Sequence, residues 1–292
     1  MIVAIPDLLR PAPSEDVYRS RFRLFCQDHT RLAYLHFGLP TPAGEDPRAV
    51  AVDPSGRFVY VANRVSGDLS LYAVDAASGA LEPRGTHPVG VGPTSIAIER
   101  TGRFLYVANR DAGTISALRI DVGSGQLTAV AADVVVAGQP RALEAHPDGS
   151  LLFATLEATG QLAVFRINSK SGQLMSGPVT SSGTLPSSVA VDPLGRFAFV
   201  TNLQPQGVGD LARFALDPVT GVPTLLGTQL AGVNPIDAAL DPSGRFLYVA
   251  SQGSDDVSVF AVDPLSGDLD PVEIVPAGVS PDSIVVSGRF GF

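Results

Sequence analysis

The sequence predicts an all-β fold, a β-propeller of six blades with four antiparallel strands each, and three observations lead there. Six prolines, Pro47, Pro93, Pro140, Pro186, Pro235 and Pro281, open matching segments at spacings of 46, 47, 46, 49 and 46 residues. Within each segment, short runs rich in Val, Ile, Leu, Phe and Tyr alternate with turns rich in Gly, Pro, Asp and Ser. No segment sustains a helical period. Four short strands repeated at this interval match one propeller blade, and a blade cannot bury both of its faces alone.

In the first repeat the elements follow in order. AVAVD is a first strand, DPSGR a tight turn and FVYVAN a second, wholly apolar strand. RVSGD is a loop, LSLYAVD an alternating third strand, AASGA another turn, and LEPRGTHPV a weaker outer strand. The last segment, PDSIVVSGRFGF, holds a first strand and only the start of a second. The N-terminal RFRLFCQDHTRLAYLHFG can supply the middle strands of that blade, with FRLFCQ aligning to FLYVAN and LAYLHF to ISALRI. Residues 18–292 then form one propeller domain closed by its N- and C-terminal strands, preceded by an extension, 1–17. The alternative is a seven-bladed ring. At this period it needs more than 292 residues, and so an abbreviated or missing blade.

Composition narrows the function classes. Twenty Lys and Arg against 29 Asp and Glu leave a net charge of −9, which disfavours general attraction to nucleic acid or an anionic membrane. Cys26 is the only cysteine, so no intrachain disulfide can form. MIVAIPDLLR is interrupted by Pro6 and lacks a basic start, and no apolar run is long enough to span a bilayer. The expected location is cytoplasmic, with export under a signal outside this sequence as the alternative. No run has the spacing of a metal site, a phosphate-binding loop, a dinucleotide fingerprint or a Gly-x-Ser-x-Gly elbow, so no cofactor or metal is expected.

The repeat also lets the chain act as its own control. Asp53/Gly56/Arg57, Glu99/Gly102/Arg103, Asp192/Gly195/Arg196 and Asp241/Gly244/Arg245 recur at one turn and read as structural. His146 and Ser150 replace the acid and the Arg in the third repeat, which marks His146 as a turn residue. Asn63, Asn109 and Asn202 also recur, and are expected to bond to loop backbone. Four residues after each Pro stand Ala51, Ala97, Glu144, Ala190, Ala239 and Val285; two after stand Ala49, Ser95, Ala142, Ser188, Asp237 and Ser283. Glu144 and Asp237 therefore put carboxylates where side chains are otherwise small, and a buried carboxylate needs a partner, a proton or water. Glu157 takes the loop place of Arg64 and Arg110. The expected site gathers Glu144 and Glu157 as catalytic carboxylates, with Arg48, Arg64, Arg110, Arg141, Asp237 and Asp282 around a substrate. A hydrated channel whose charges only balance one another is the alternative.

The words YVAN (60–63, 106–109), FVTN (199–202) and DPSGR (53–57, 241–245) resemble the lactonase-like β-propeller family with YVTN-type repeats. Its relatives include 6-phosphogluconolactonases and muconate-lactonising enzymes. The resemblance spans Pro47 to about Phe290 and implies a hydrolase acting on a small sugar lactone, anionic if phosphorylated. Hydrolytic relatives tend to carry His after the repeat Pro, whereas this chain has Arg48, Thr94, Arg141, Ser187, Ile236 and Asp282. A non-catalytic propeller binding a protein or small ligand on one face is the second expectation.

Overall fold

A computed structural model describes residues 2–3, 41–204, 207–218 and 220–286. Every regular element among them is a strand. They run β1 (Ile2–Val3), β2 (Pro47–Val52), β3 (Phe58–Asn63), β4 (Asp68–Val74), β5 (Leu81–Pro88), β6 (Pro93–Ile98), β7 (Phe104–Asn109) and β8 (Thr114–Ile120). Next come β9 (Leu127–Ala129), β10 (Val134–Val135), β11 (Pro140–Ala145), β12 (Leu151–Leu156), β13 (Gln161–Ile167) and β14 (Leu174–Ser181). The chain continues with β15 (Pro186–Val191), β16 (Phe197–Asn202), β17 (Val208–Leu216), β18 (Pro223–Val233) and β19 (Pro235–Leu240). Last are β20 (Phe246–Ser251), β21 (Asp256–Val262), β22 (Leu269–Pro276) and β23 (Ile284–Val285).

Each repeat is one antiparallel sheet in sequence order, β2-β3-β4-β5 being the first. In the second sheet, β9 and β10 both pair with β8, so its outer edge is made of two short pieces. Chain contacts divide the described residues into two compact units. One, residues 41–179, holds the first three repeats; the other holds residues 2–3 and 180–286.

Strand alternation explains the cores. In the first unit, Phe58, Tyr60 and Ala62 of β3 pack with Leu105 and Val107 of β7. The intervening β7 residues, Phe104, Tyr106 and Ala108, join Leu152, Ala154 and Leu156 of β12. Successive side chains of one strand thus enter opposite inter-sheet layers, which is why β3, β7 and β12 are buried throughout. In the second unit Phe197 and Phe199 of β16 meet Leu247 and Val249 of β20 in the same way. Full burial of one such side chain contributes roughly 1.5–3 kcal/mol. The phenols of Tyr60 and Tyr106 stitch adjacent sheets by donating to the Gly125 and Gly172 carbonyls, at 2.8 and 3.0 Å.

At the turn between first and second strands the acid chiefly caps backbone. Asp53 accepts from the amides of Ser55, Arg57 and Phe58, while Arg57 lies over the Phe58 ring and donates to the Val122 carbonyl. In the third repeat Asp148 takes over part of this work, accepting from the Ser150 amide at 2.7 Å, and lies 2.7 Å from His146 Nδ1. His146 is a turn residue, as expected.

β1 pairs antiparallel with β23, Ile2 with Val285 and Val3 with Ile284. β1 lies within residues 1–17, the expected extension, so the pairing joins the two ends of the chain. The strands expected within RFRLFCQDHTRLAYLHFG, with Cys26, His29 and His36, lie outside the described residues, as does the expected second strand after Val286.

Candidate functional site

Two backbone features recur at the start of every complete repeat and shape the surface there. The residue before each Pro is left-handed: Asp46, Gly92, Gln139, Leu185, Asn234 and Ser280, with φ between 46° and 70°. In five repeats its carbonyl accepts the amide of the residue that follows the second strand, from Arg64 to Asp46 and from Glu157 to Gln139, for example. Just after the Pro the ladder slips. Pro47 pairs with Asn63 but Ala49 with Ala62, leaving Arg48 as a bulge; the same slip occurs at Thr94, Arg141, Ser187 and Ile236. A bulge re-aims its side chain out of the alternation of the strand. Arg48 and Arg141 are therefore displayed at the Pro end of the strands beside the loops that carry Arg64, Arg110 and Glu157.

In the first unit these residues form one continuous ion network. Arg48 Nε lies 2.9 Å from Asp46, which lies 4.0 Å from Arg64. Arg64 reaches Asp111 at 3.0 Å, and Asp111 also holds Arg110 at 3.2 Å. Arg110 Nε donates to Glu157 at 2.5 Å, and Arg141 donates to the other Glu157 oxygen at 2.8 Å. Side-chain exposure falls along the row, from 45% at Arg48 through 27% at Arg110 to 10% at Glu157. The hydrogen bond that Arg110 donates to Glu157 holds its guanidinium above its ordinary range, burial opposing and Asp111 adding to the effect. Four guanidiniums face three carboxylates, so the row keeps one positive charge in excess.

Glu144 is half-buried on β11, opposite Phe153 in register, four residues beyond Pro140. Its strand neighbour Leu143 enters the core, so alternation turns Glu144 to the other face. It shares β11 with Arg141, and both belong to the first unit.

Asp237 and Asp282 belong to the second unit. Asp237 Oδ1 accepts from Ser188 Oγ and the Ala238 amide at 2.7 and 2.9 Å; Oδ2 accepts from Ser283 Oγ and the Ile284 amide, both at 3.0 Å. One carboxylate thus ties together β15, β19 and the start of β23. Burial pushes its carboxyl above the usual aspartate range, although these four donors pull the other way. Asp282 is exposed just before β23.

The recurrent asparagines bond mainly to side chains of the following strand rather than to loop backbone. Asn63 Nδ2 donates to Asp68 and Ser70, Asn109 to Thr114 and Ser116; Asn202 donates to Asp210 and to the Ser182 carbonyl. Among the described residues no group of three or more His, Cys, Asp or Glu could hold a metal ion, and no helix is long and apolar enough to cross a membrane.

A family profile described as "Lactonase, 7-bladed beta-propeller" matches residues 33–95, 90–181 and 175–286. The chain belongs to this lactonase family. A candidate 6-phosphogluconolactonase from Bacteroides uniformis shares its fold with a TM-score of 0.74 and 20% identity, over 81% of this chain and 72% of that one. A Lactobacillus plantarum protein matches with a TM-score of 0.72 and 23% identity, over 84% and 74%. The periplasmic gluconolactonase of Pseudomonas aeruginosa matches with a TM-score of 0.55 and 22% identity, over 83% and 88%. No curated protein matches the sequence.

The lactonase-family description names seven blades. The described residues of this member form five complete sheets and, at β23, the first strand of a further one. Within its first unit the structure joins Arg48, Arg64, Arg110, Arg141 and Glu157 in a single row. Two further members of the row, Asp46 and Asp111, are not among the expected site residues. Asp111 had an indirect signal in Gly92: a Cβ at Gly92 would collide with the Asp111 carboxyl.

Proposed function

We propose that this lactonase-family protein hydrolyses a small anionic sugar lactone, a 6-phosphogluconolactone-like substrate, at the arginine row of its first unit. The observation that carries this reading is the row itself, with guanidinium in excess, ending on a strand that also carries Glu144 three residues beyond Arg141. The name of the Bacteroides relative points to the same substrate class.

In this reading Glu144 takes a proton from water as the oxygen attacks the lactone carbonyl carbon. Arg110 and Arg141 stabilise the oxyanion that develops on the carbonyl oxygen. The tetrahedral intermediate then expels the ring oxygen, which takes the proton back from Glu144 and leaves an open-chain hydroxy acid. Both oxygens of Glu157 already receive guanidinium hydrogen bonds, so its role is to orient Arg110 and Arg141. Asp237 is assigned to fastening strands, since both of its oxygens are committed to protein donors. Hydrolysis of this kind suits a cytoplasmic protein, the location we assign; the Pseudomonas relative works in the periplasm.

The test is hydrolysis of a lactone panel that includes 6-phosphogluconolactone and gluconolactone, corrected for spontaneous opening. Glu144→Gln should lower kcat by ~10²–10⁴-fold, the usual worth of a positioned general base, with an unchanged circular dichroism spectrum. Wild-type rates equal to the spontaneous rate across the panel would overturn the proposal and leave a ligand-binding propeller.

A further inference from the structure

Asp46 stands apart from its equivalents. The same left-handed place is Gly92, Gln139, Leu185, Asn234 and Ser280 in the other repeats, so a carboxylate occurs there only once among the described residues. It is held at a φ of 53°, a conformation that L-residues other than Asn and Asp rarely adopt. Its carboxylate sits between the two most exposed guanidiniums of the row. Arg48 bonds it closely at 2.9 Å, while Arg64 lies 4.0 Å away and turns another amino group to Asp111. Asp111 is shared by two arginines and packed against Gly92, and Glu157 is nearly enclosed. Asp46 and Asp111 are each about a third exposed, but only Asp46 is weakly held on one side.

We propose that Asp46 is a built-in counter-anion, occupying the place between Arg48 and Arg64 where the anionic group of a substrate binds. It thereby sets the discrimination between anionic and neutral lactones. This rests on the hydrolase reading above. A phosphate group brings up to two charges and three acceptor oxygens, and planar guanidiniums grip it in a bidentate manner. It can therefore displace a single carboxylate from Arg48 and Arg64. A neutral sugar lactone has no charge with which to do so. Asp46 then acts as a threshold, admitting only ligands that bind the two arginines better than it does.

The experiment is calorimetric titration with inorganic phosphate at low ionic strength, on the wild type, Asp46→Asn, Arg48→Met and the double variant. Asn suits a left-handed backbone, so Asp46→Asn should keep the local fold, checked by thermal melting. Removing the competing charge should tighten phosphate binding about tenfold, the scale expected of one partly screened charge a few ångströms away. Arg48→Met should weaken binding, and Asp46→Asn added to it should give much less than its own gain. Equal or weaker phosphate binding by Asp46→Asn, or an undiminished gain in the double variant, would overturn the proposal. In parallel, Asp46→Asn should lower KM for 6-phosphogluconolactone. Absence of turnover in the wild type would remove the hydrolase reading, while the phosphate titration would still decide the role of Asp46.

Discussion

The amide of Asn63 crosses from the end of a second strand to Asp68 and Ser70 on the third, packed so closely against Gly44 that a Cβ there would collide with it. Asn109 and Asn202 repeat the arrangement against Gly90 and Gly183. The third repeat replaces both partners at once, with Leu156 for the Asn and Gln161 for the Asp. The fifth repeat changes only one. Ser251 stands in the Asn place beside Gly232, Asp256 keeps the Asp place, and both Ser251 Oγ and Asp256 Oδ1 are buried without a protein partner. Ser251→Asn should restore the missing donor and stabilise the protein by roughly 0.5–1.5 kcal/mol, the net worth of a hydrogen bond. The readout is the urea midpoint, and a lower midpoint would show that the site cannot accept the larger amide. The recurrence of this Asn was legible in the sequence. Its partners were missed because the offsets of five and seven residues acquire meaning only once the two strands are in register.

At the scale of the strand, the period and the apolar runs were enough to place first, second and third strands, because burial on both faces leaves an unmistakable apolar word such as FVYVAN. The bulge and the left-handed residue around each Pro left no such word. The left-handed place is filled by Asp, Gly, Gln, Leu, Asn and Ser in turn, so no residue type announces it. The backbone is dictated by the hydrogen bond that its carbonyl makes to the loop, and the side chain tolerates the strain. Substitutions here should consequently have opposite signs in neighbouring repeats. Gln139 is exposed with φ at 59°. Gln139→Gly relieves roughly 1–2 kcal/mol of left-handed strain against roughly 0.5–1 kcal/mol of added chain entropy, so a modest rise in Tm is expected. Gly92→Ala introduces the strain and also drives a Cβ into Asp111, so Tm should fall clearly. Equal effects of the two changes would show that the left-handed place does not control stability. The arginines of the candidate site were visible as departures from the repeat. Their connection into one row was not, because it depends on contacts between residues 16 and 47 positions apart.

For the molecule as a whole, the carboxylates pull stability in two directions with pH. Burial alone would raise Asp53 and Asp241, but hydrogen bonds from Ser55 and Ser243 and from the amides of their turns hold both below the usual range. Hydrogen bonds from Ser78 and Ser124 likewise lower Asp75 and Asp121. A lowered folded-state pKa contributes stability above the unfolded value of about 3.9, and that stability is lost as pH falls through the folded value. Asp237 has the opposite sign. Its folded-state pKa is raised by burial, so between about 3.9 and its folded value the native state binds the extra proton, and stability falls as pH rises through that window. The urea midpoint should therefore rise as the solution is acidified from neutrality through the titration of Asp237, then drop below about pH 4 as the turn caps take up protons. Relief of the net charge of −9 also favours the folded state on mild acidification, so the contribution of Asp237 must be isolated by difference. Asp237→Asn removes the titrating group while keeping one oxygen as acceptor for Ser188. The gap between wild type and this variant should narrow as pH rises if the ionised carboxylate is the strained form. A gap that stays constant from about pH 4 to neutrality would show that Asp237 is ionised throughout and that its four donors outweigh its burial.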